Sequence, residues 1–435
     1  MKKIGLVILV LALLVGTVGC TTSKKDFQVG FGKQDITPEE GVGLGGYGNT
    51  AQRLNTGELS PLYALATVIT DAEDNTLVLV VTDLSFGYYT QTQQVRAAIS
   101  SKYEIPKENI MLAGTHNHNA PDPSSSNSKN VEYMKTWLQA VEKAVDQAME
   151  DRKPATMEIG RTETENLVFS RRYVREDGNY VGGGPASYNV ESNAPIVGHE
   201  SEADEEIQMV RFVREEGKDI IITNWQSHAC NIDGNRDKSP HYMASGEWPE
   251  VMRSYVEQEL DVHCIYFQGA AGNLGCRSSI EGEFALDDTK NYQAIGETLA
   301  QYVIDACNET DVFQKVETGL IQVNQYKMAI NKSDGTPAKQ DKDKPELNTI
   351  SIGDVSIVTF PFEFFDYSAK WLKERTPYDM TLFLGYANGS AGYMAPEEFW
   401  DHGSYEVLNS HYERGSAEKA MTHFLDTLED MREAK

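Results

Sequence analysis

Short apolar runs alternate with amphipathic stretches along most of this 435-residue chain. An apolar run at 76–82 precedes side chains at helical spacing over 91–103, and a second run at 110–113 precedes a longer amphipathic stretch over 131–150. The same order recurs downstream, with strands predicted at 220–223 and 265–267 and helices over 248–260 and 292–307. This alternation is typical of α/β layer folds. We therefore predict an α/β fold in which a mixed, largely parallel central sheet is flanked by helices.

The C-terminal third departs from this alternation. Longer strand-like stretches over 316–330 and 349–360 are joined by a polar segment, which indicates some antiparallel pairing. The segment 416–431 has apolar residues at helical spacing and is predicted to be a packing helix. No internal repeat of about 20–50 residues occurs, so one continuous domain is expected over 27–435.

The N-terminus has the pattern of a secretion signal. Two lysines precede an apolar stretch over 4–18, which is shorter than the roughly 20 residues that a bilayer span needs. Cys20 follows a glycine and precedes a polar linker, as in the lipobox of bacterial lipoproteins, although Thr17 replaces the usual leucine. We predict export and a lipid anchor in the bacterial cell membrane, with a signal peptide over 1–19, an acylated Cys20 and a linker over 20–26. The alternative is an ordinary secretion signal followed by an unpaired cysteine.

Net charge limits the partners of the chain. It carries 66 acidic and 39 basic side chains, a formal net charge of -27 at pH 7. Nucleic acid and an anionic membrane surface would both repel such a protein, so no nucleic acid partner is predicted. Membrane attachment would depend on acylation, because electrostatic attraction is missing. No protein partner is predicted.

Polar and titratable side chains come directly after five of the predicted strands. Because the carboxyl ends of strands form the ligand crevice of α/β sheets, we expect these groups to converge on one rim. The groups are His116, His118, His228, the Gly-Ala-Ala-Gly-Asn segment at 269–273, Glu363 and Tyr393.

Histidines, a glutamate and a tyrosine that meet at one rim would suit Zn²⁺, which binds imidazole nitrogen and carboxylate oxygen. His116 and His118 stand at i and i+2, so on an extended segment their side chains would point the same way. Other interpretations remain open. The pair could be an orienting, hydrogen-bonded pair, His228 could simply be satisfied by its neighbours, and Glu363 could be a charge at a helix N-terminus.

Familiar catalytic motifs are missing or incomplete. The chain contains neither G-x-S-x-G nor H-E-x-x-H, which disfavours α/β-hydrolases and common zinc proteases. A glycine-rich segment over 41–46 spells G-x-G-x-x-G, but it lacks the preceding strand and the following helix of a dinucleotide site. We predict that it forms a loop beside the pocket.

Nine short segments stand in an informative order. They are 29–38, 45–48, 62–66, 115–121, 224–228, 269–273, 361–363, 388–399 and 405–406. In order and combination they resemble the neutral/alkaline (non-lysosomal) ceramidase family, across most of the chain after the predicted signal. The resemblance implies the fold of that family's N-terminal catalytic domain. It also implies zinc-dependent hydrolysis of the amide bond of N-acylsphingosines.

The resemblance further implies roles for individual residues. The zinc ligands would be His116, His228, Glu363 and Tyr393. His118 would stabilise the developing oxyanion or relay a proton, while Tyr405 and Arg171 would face the scissile amide.

One departure from the family concerns the nucleophile. True ceramidases have a catalytic serine shortly after Gly-Ala-Ala-Gly, and Gly275 occupies that position in this chain. Because glycine has no side chain with which to attack, we favour direct attack by a metal-activated water. Cys276 is either a substitute nucleophile or, the interpretation that we favour, a small buried or disulfide-bonded cysteine. The family's C-terminal immunoglobulin-like domain is expected to be absent.

The sequence therefore predicts an exported, lipid-anchored, zinc-dependent hydrolase of an amide bond in a small-molecule or lipid substrate. One alternative is a non-catalytic surface lipoprotein of the same descent that binds a metal or a lipid, which Gly275 favours. The other is a zinc esterase, which differs only in its substrate. The intact set of metal-binding residue types argues for an enzyme.

Overall fold

The computed structural model describes residues 27–48, 50–86, 89–182, 193–232, 240–280, 283, 291–317, 319–337 and 344–434. The predicted signal peptide, Cys20 and the linker lie outside the described residues. Within the described part of the chain, no helix combines the length and the apolar character needed to cross a membrane.

Strands and helices alternate over much of the chain. The described ranges hold seven α-helices: α1 (Tyr89–Tyr103), α2 (Ser128–Glu150), α3 (Glu247–Leu260), α4 (Asn291–Asn308), α5 (Asp366–Lys373), α6 (Ser404–Leu408) and α7 (Ser416–Glu433). The strands in the same ranges are β1 (Phe27–Asp35), β2 (Tyr63–Thr70), β3 (Thr76–Thr82), β4 (Ile110–Gly114), β5 (Lys153–Glu163), β6 (Phe169–Ser170), β7 (Tyr173–Arg175), β8 (Tyr180–Val181), β9 (Ile196–His199), β10 (Glu206–Arg214), β11 (Ile220–Trp225), β12 (His263–Gln268), β13 (Leu274–Gly275), β14 (Gln314–Lys315), β15 (Ile321–Lys327), β16 (Glu346–Ile352), β17 (Val355–Thr359), β18 (Glu363–Phe364), β19 (Met380–Leu384) and β20 (Tyr393–Met394). Short 3-10 helices cover Lys107–Asn109 and Glu397–His402.

The larger sheet is mixed. Its strand order is β12-β11-β10-β5-β1-β2-β3-β4, with β14 paired to β5. Among the described strands of this sheet, only β3–β4 and β11–β12 are parallel, and α1 and α3 make those two connections. The α/β class and the mixed sheet are confirmed, but the prediction that the sheet is largely parallel is wrong. The short turns at 71–75 and 215–219 join neighbouring antiparallel strands, and longer connections that contain no described helix join the antiparallel pairs β1–β2 and β5–β10.

The smaller sheet has the order β15-β16-β17-β19. The strand predicted over 349–360 is divided between β16 and β17, because the chain turns back at Gly353, where φ is +59°. The predicted antiparallel pairing is confirmed, since β16 pairs antiparallel with both β15 and β17. A parallel strand, β19, completes the sheet beside β17.

The two sheets pack face to face across a continuous apolar cluster. Its buried side chains come from both sheets and include Phe27, Leu79, Ile222, Ile350 and Leu382. Helices α1 and α2 cover the outer side of β1–β4, while α3 and α4 cover the outer side of β10–β12. Helices α5 and α7 cover the smaller sheet. The layers therefore run helix, sheet, sheet, helix.

Two asparagine side chains join the sheets at one end. The amide of Asn224 donates to the carbonyl oxygen of Phe383 and accepts from its backbone N–H, both at 2.8 Å. The side-chain oxygen of Asn388 accepts from the backbone N–H of Leu112 at 3.0 Å, and the backbone N–H of Asn388 donates to the Leu112 carbonyl oxygen at 2.8 Å. Each asparagine both donates to and accepts from one backbone residue, as paired strands do. These bonds hold the carboxyl ends of β4, β11 and β19 together.

Candidate metal centre

His116 lies just after β4, where its backbone φ is +59°. The segment is therefore not extended as the sequence predicts. The Nδ1 atom lies 3.0 Å from the carbonyl oxygen of Ser85, and the ring stacks on Tyr386 with centroids 4.0 Å apart. A carbonyl oxygen only accepts hydrogen bonds, so Nδ1 carries the proton. In the neutral ring, Nε2 is then the atom with a lone pair.

His228 follows β11 and is held in the same way. Its Nδ1 lies 2.8 Å from the carbonyl oxygen of Ala271 and 3.0 Å from that of Leu274. Burial, together with the nearby Arg171 guanidinium, lowers the pKa of His228 to about 3. The ring is therefore neutral at physiological pH, and its Nε2 is also a lone-pair atom.

Glu363 brings a carboxylate against both of these lone pairs. Its Oε2 lies 3.4 Å from Nε2 of His116 and 3.3 Å from Nε2 of His228. No described residue donates a hydrogen bond to this oxygen. An ionised oxygen facing two lone-pair nitrogens is the arrangement that a bound cation would stabilise.

Tyr393 completes this group. Its strand β20 pairs with β18 so that Tyr393 lies opposite Glu363, and its hydroxyl is 3.5 Å from Nε2 of His228. The close fit depends on Gly272, whose N–H donates to the carbonyl of Phe364 at 2.7 Å. A Cβ atom at Gly272 would lie 2.4 Å from the Glu363 carbonyl oxygen, so no other residue fits there without a shift.

His118 offers a further nitrogen to the same site. Its Nε2 lies 3.3 Å from Nε2 of His116, and the ligand atoms of His116, His118 and His228 all lie within 4.8 Å of one another, close enough to hold a metal ion. Burial lowers the pKa of His118 well below its usual range, and the two other histidines act in the same direction. A metal set of three histidines is thus a geometric alternative to the set with Glu363 and Tyr393.

The glycine-rich loop borders the site, as the sequence predicts. Gly46 has a φ of +95°, and a Cβ atom there would lie 2.5 Å from the ring of His118. The ring of Tyr47 meets the same histidine edge-on, with centroids 5.1 Å apart. The loop therefore closes one side of His118, and only glycine allows the approach.

Arg171 and Tyr405 both contact Tyr393. The Arg171 guanidinium donates to the Tyr393 hydroxyl at 2.8 Å and to the carbonyl oxygen of Gly272 at 2.9 Å. The ring of Tyr405 packs edge-on against that of Tyr393, with centroids 5.6 Å apart. The structure thus brings all seven predicted site residues into one connected cluster. It also removes one alternative for Glu363, which lies in β18 and not in the first turn of α5.

Comparison with known proteins identifies similar chains and a similar fold. Residues 27–238 match the family model for the N-terminal region of neutral/alkaline non-lysosomal ceramidases. This region, about half of the chain, is similar to that family. The predicted resemblance is therefore confirmed.

Individual ceramidases are only distantly similar to this chain. The neutral ceramidase of Pseudomonas aeruginosa is 26% identical over 211 residues, which are 46% of this chain and 29% of that protein's length. A solved ceramidase complexed with C2 has a TM-score of 0.75 at 18% identity, covering 94% of this chain and 76% of that one. The solved neutral ceramidase of P. aeruginosa gives a TM-score of 0.74 at 18% identity, with 94% and 75% covered. At this identity the structures establish a shared fold.

Gly275, which stands where the resemblance places the family's serine, has free space around it. Gly275 lies in β13, beside the Leu274 carbonyl that holds His228, and a Cβ atom at Gly275 would meet no atom within 4 Å. The neighbouring Cys276 is only 1% exposed, with its sulfur 3.0 Å from the Ser227 hydroxyl. Burial raises the pKa of Cys276 well above its usual range. A buried, protonated thiol is a poor nucleophile, so the structural interpretation of Cys276 is the better one.

Three neighbours of the site were not singled out by the sequence. Ser85 and Tyr386 fix the ring of His116 from two sides, and Glu406 pairs with Arg171 at 3.0 Å. Tyr386 and Glu406 do lie within or beside segments noted for their motifs. Ser85 contributes only its backbone carbonyl oxygen, which every residue has, so its identity in the sequence could not indicate this role.

Proposed function

We propose that this protein hydrolyses an amide bond with a zinc ion held by His116, His228, Glu363 and Tyr393. The observation that carries the proposal is the meeting of Nε2 of both histidines with the Glu363 carboxylate at 3.4 and 3.3 Å. The Nδ1 atoms are fixed on carbonyl oxygens, so both lone pairs face the carboxylate. Two imidazole nitrogens with a carboxylate oxygen are ligands that zinc prefers, and with Tyr393 as the fourth ligand a substrate or water would take a fifth position, to which catalytic zinc sites can expand.

Zinc bound there would polarise the substrate carbonyl and make a water molecule nucleophilic near neutral pH. The protein's own groups would then orient the amide. Burial opposes the charge on Arg171, but Tyr393 and Glu406 outweigh it and raise the pKa of Arg171 above its ordinary value. Its guanidinium therefore stays charged. Together with the Tyr405 hydroxyl, it would stabilise the negative charge that develops on the amide oxygen.

His118 would act as a neutral group. Its lowered pKa means that it resists protonation, which makes it a weak acceptor of a proton from water. A neutral imidazole N–H is instead suited to donate a hydrogen bond to a developing oxyanion. Of the two roles that the resemblance implies, we therefore propose oxyanion stabilisation.

The substrate class and the cellular place are further parts of the proposal. The name of the P. aeruginosa relative supports an N-acylated lipid amide of the ceramide type. The pattern around Cys20 supports export and attachment by an acyl chain. With a net charge of -27, the protein would depend on that chain to stay at an anionic membrane.

The proposal is tested on the full-length protein purified in detergent. Metal analysis is combined with hydrolysis of N-acyl amides of different acyl length and of matched esters, with and without a chelator. We expect bound zinc, amide hydrolysis that the chelator removes, and recovery when Zn²⁺ is added. Zinc without hydrolysis of any amide or ester would contradict the proposal and favour the non-catalytic binding protein, and hydrolysis of the esters alone would favour the esterase.

Replacing Gly275 by serine tests whether a hydroxyl is needed. Because a side chain at this position meets open space, Gly275→Ser should leave stability within about 0.5 kcal/mol of wild type. If water is the nucleophile, the substitution should leave the rate of hydrolysis nearly unchanged and produce no burst of released product. Thermal unfolding and pre-steady-state kinetics measure the two. A large gain in rate together with a burst would show instead that the site is built for a serine nucleophile.

A further inference from the structure

Glu406 is fully buried beside the candidate metal centre and pairs with two arginines. Its carboxylate lies 3.0 Å from Nε of Arg171 and 3.1 Å from Nη1 of Arg172. It is enclosed from the other side as well, since a Cβ atom at Gly182 would lie 2.7 Å from Glu406 Oε2. One carboxylate thus contacts two guanidinium groups: that of Arg172, which is 1% exposed, and that of Arg171, which is 16% exposed and also contacts Tyr393.

The second arginine has another acidic partner. Arg172 also pairs with Glu200, which is held in turn by His402 at 2.7 Å. Both acids are buried, with side-chain exposures of 0% for Glu406 and 2% for Glu200. Among the described contacts, Glu406 pairs with Arg171 and Glu200 does not. This difference provides a matched pair of substitutions.

Arg171 has few other constraints on its guanidinium. Its described partners are the Tyr393 hydroxyl, the Gly272 carbonyl oxygen and Glu406, and the last is the only ion pair among them. The Arg171–Glu406 contact at 3.0 Å is an ion pair without hydrogen-bond alignment, and a largely buried ion pair still fixes a side chain because the alternative is an uncompensated charge. Without Glu406, the arginine would lose the group that directs it toward Tyr393.

We propose that Glu406 is a positioning residue that acts through Arg171. It holds the guanidinium against the Tyr393 hydroxyl and so fixes the orientation of that hydroxyl toward His228 and the metal. The inference rests on the proposed function, in which Tyr393 is a zinc ligand. Partners of metal ligands that lie one step removed from the ion typically change affinity or activity by about 10- to 100-fold when they are removed.

The experiment compares Glu406→Gln with Glu200→Gln in the full chain. Both substitutions remove a buried acidic partner of Arg172, so both are expected to lower the unfolding temperature. Only Glu406→Gln should weaken zinc binding, by about 10- to 100-fold, and lower kcat by a similar factor with little change in KM. Competition with a chelator gives the zinc affinity independently of turnover. Equal effects of the two substitutions would overturn the proposal.

A double-mutant cycle asks whether the effect passes through Arg171. If it does, Glu406→Gln should add nothing to the effect of Arg171→Met on zinc affinity and kcat. Additive effects would mean that Glu406 acts by another route, and the proposal would fail. Should Glu406→Gln not fold, Glu406→Asp with Glu200→Asp as its control keeps the charge and withdraws the carboxylate by one carbon.

Failure of the proposed function can be told apart from failure of this inference. If the wild-type protein holds no zinc or cleaves no substrate, the proposed function is wrong. The position of Arg171 is still measurable in a crystal structure of Glu406→Gln, which requires neither metal nor turnover. Loss of the 2.8 Å contact with Tyr393 supports the positioning role, and an unchanged contact overturns it.

Discussion

Replacing His116 by alanine is expected to remove bound zinc and to lower kcat/KM for amide hydrolysis by about 10³-fold or more, because a metal ion contributes several kcal/mol to the stabilisation of such transition states. The substitution deletes one of the two nitrogens that face Glu363 and leaves the carboxylate with His228 alone. Metal analysis and steady-state kinetics on the purified variant measure both effects.

The control for this substitution is His423→Ala. His423 lies on α7, where its ring packs on Tyr326 with centroids 4.1 Å apart, and it belongs to neither candidate metal set. Zinc content and kcat/KM should therefore match wild type. If His116→Ala retains both zinc and hydrolysis, the assignment of the metal centre is wrong, and the set of residues that holds the ion must be sought elsewhere.

Replacing Arg253 by methionine is expected to destabilise the protein by about 3–5 kcal/mol, the usual result of breaking a buried ion pair from one side. Arg253 of α3 donates to Asp83 at 2.7 Å, and the two side chains are 1% and 0% exposed. Its removal leaves Asp83 as a buried charge close to the mostly buried Glu250, whose pKa burial already raises. Denaturant unfolding measures the loss.

Two comparisons show whether burial is the cause. Lys135→Met breaks an exposed pair with Glu132, so it should cost no more than about 0.5 kcal/mol. The double substitution Asp83→Asn with Arg253→Met removes both charges and should recover much of the loss. If the single substitution at Arg253 is as mild as that at Lys135, the pair contributes little.

The same ion pair matters for the site. Asp83 directly precedes Leu84, whose carbonyl oxygen accepts from the backbone N–H of His116. Ser85 comes next, and its carbonyl oxygen lies 3.0 Å from Nδ1 of His116. Asn117 also donates to the carbonyl oxygen of Asp83, at 3.3 Å. A disturbed turn at Asp83 would therefore move His116, so a partial loss of zinc should accompany the loss of stability.

Apolar periodicity was sufficient to locate most elements. The strand predicted over 76–82 coincides with β3, and the helices predicted over 248–260 and 292–307 agree with α3 and α4 to within one residue at each end. These segments are buried on one face or on both, so their pattern is strong. Strand direction was not accessible in the same way. It depends on whether a turn or a helix joins two strands, and both kinds of connection occur in this sheet.

The members of the site were predictable, but their arrangement was not. His116, His228 and Glu363 could be found because each follows a strand, and strand ends share an edge. Their approach to within 3.4 Å depends on how the two sheets pack, which no local pattern records. Glu406 was missed as a site residue for a similar reason. A glutamate in an ordinary short helix is usually solvated, and only the fold shows that two arginines enclose it.

The proposed ligands depend on two different sheets. His116 and His228 follow strands of the larger sheet, while Glu363 and Tyr393 lie in the short strands β18 and β20, which follow β17 and β19 of the smaller one. A folding intermediate with one sheet formed would present only two of the four groups. Tight binding would then begin only when the sandwich closes, and by mass action the ion would favour the closed form. The supply of zinc would therefore govern how many molecules survive unfolding and proteolysis, in addition to how many are active.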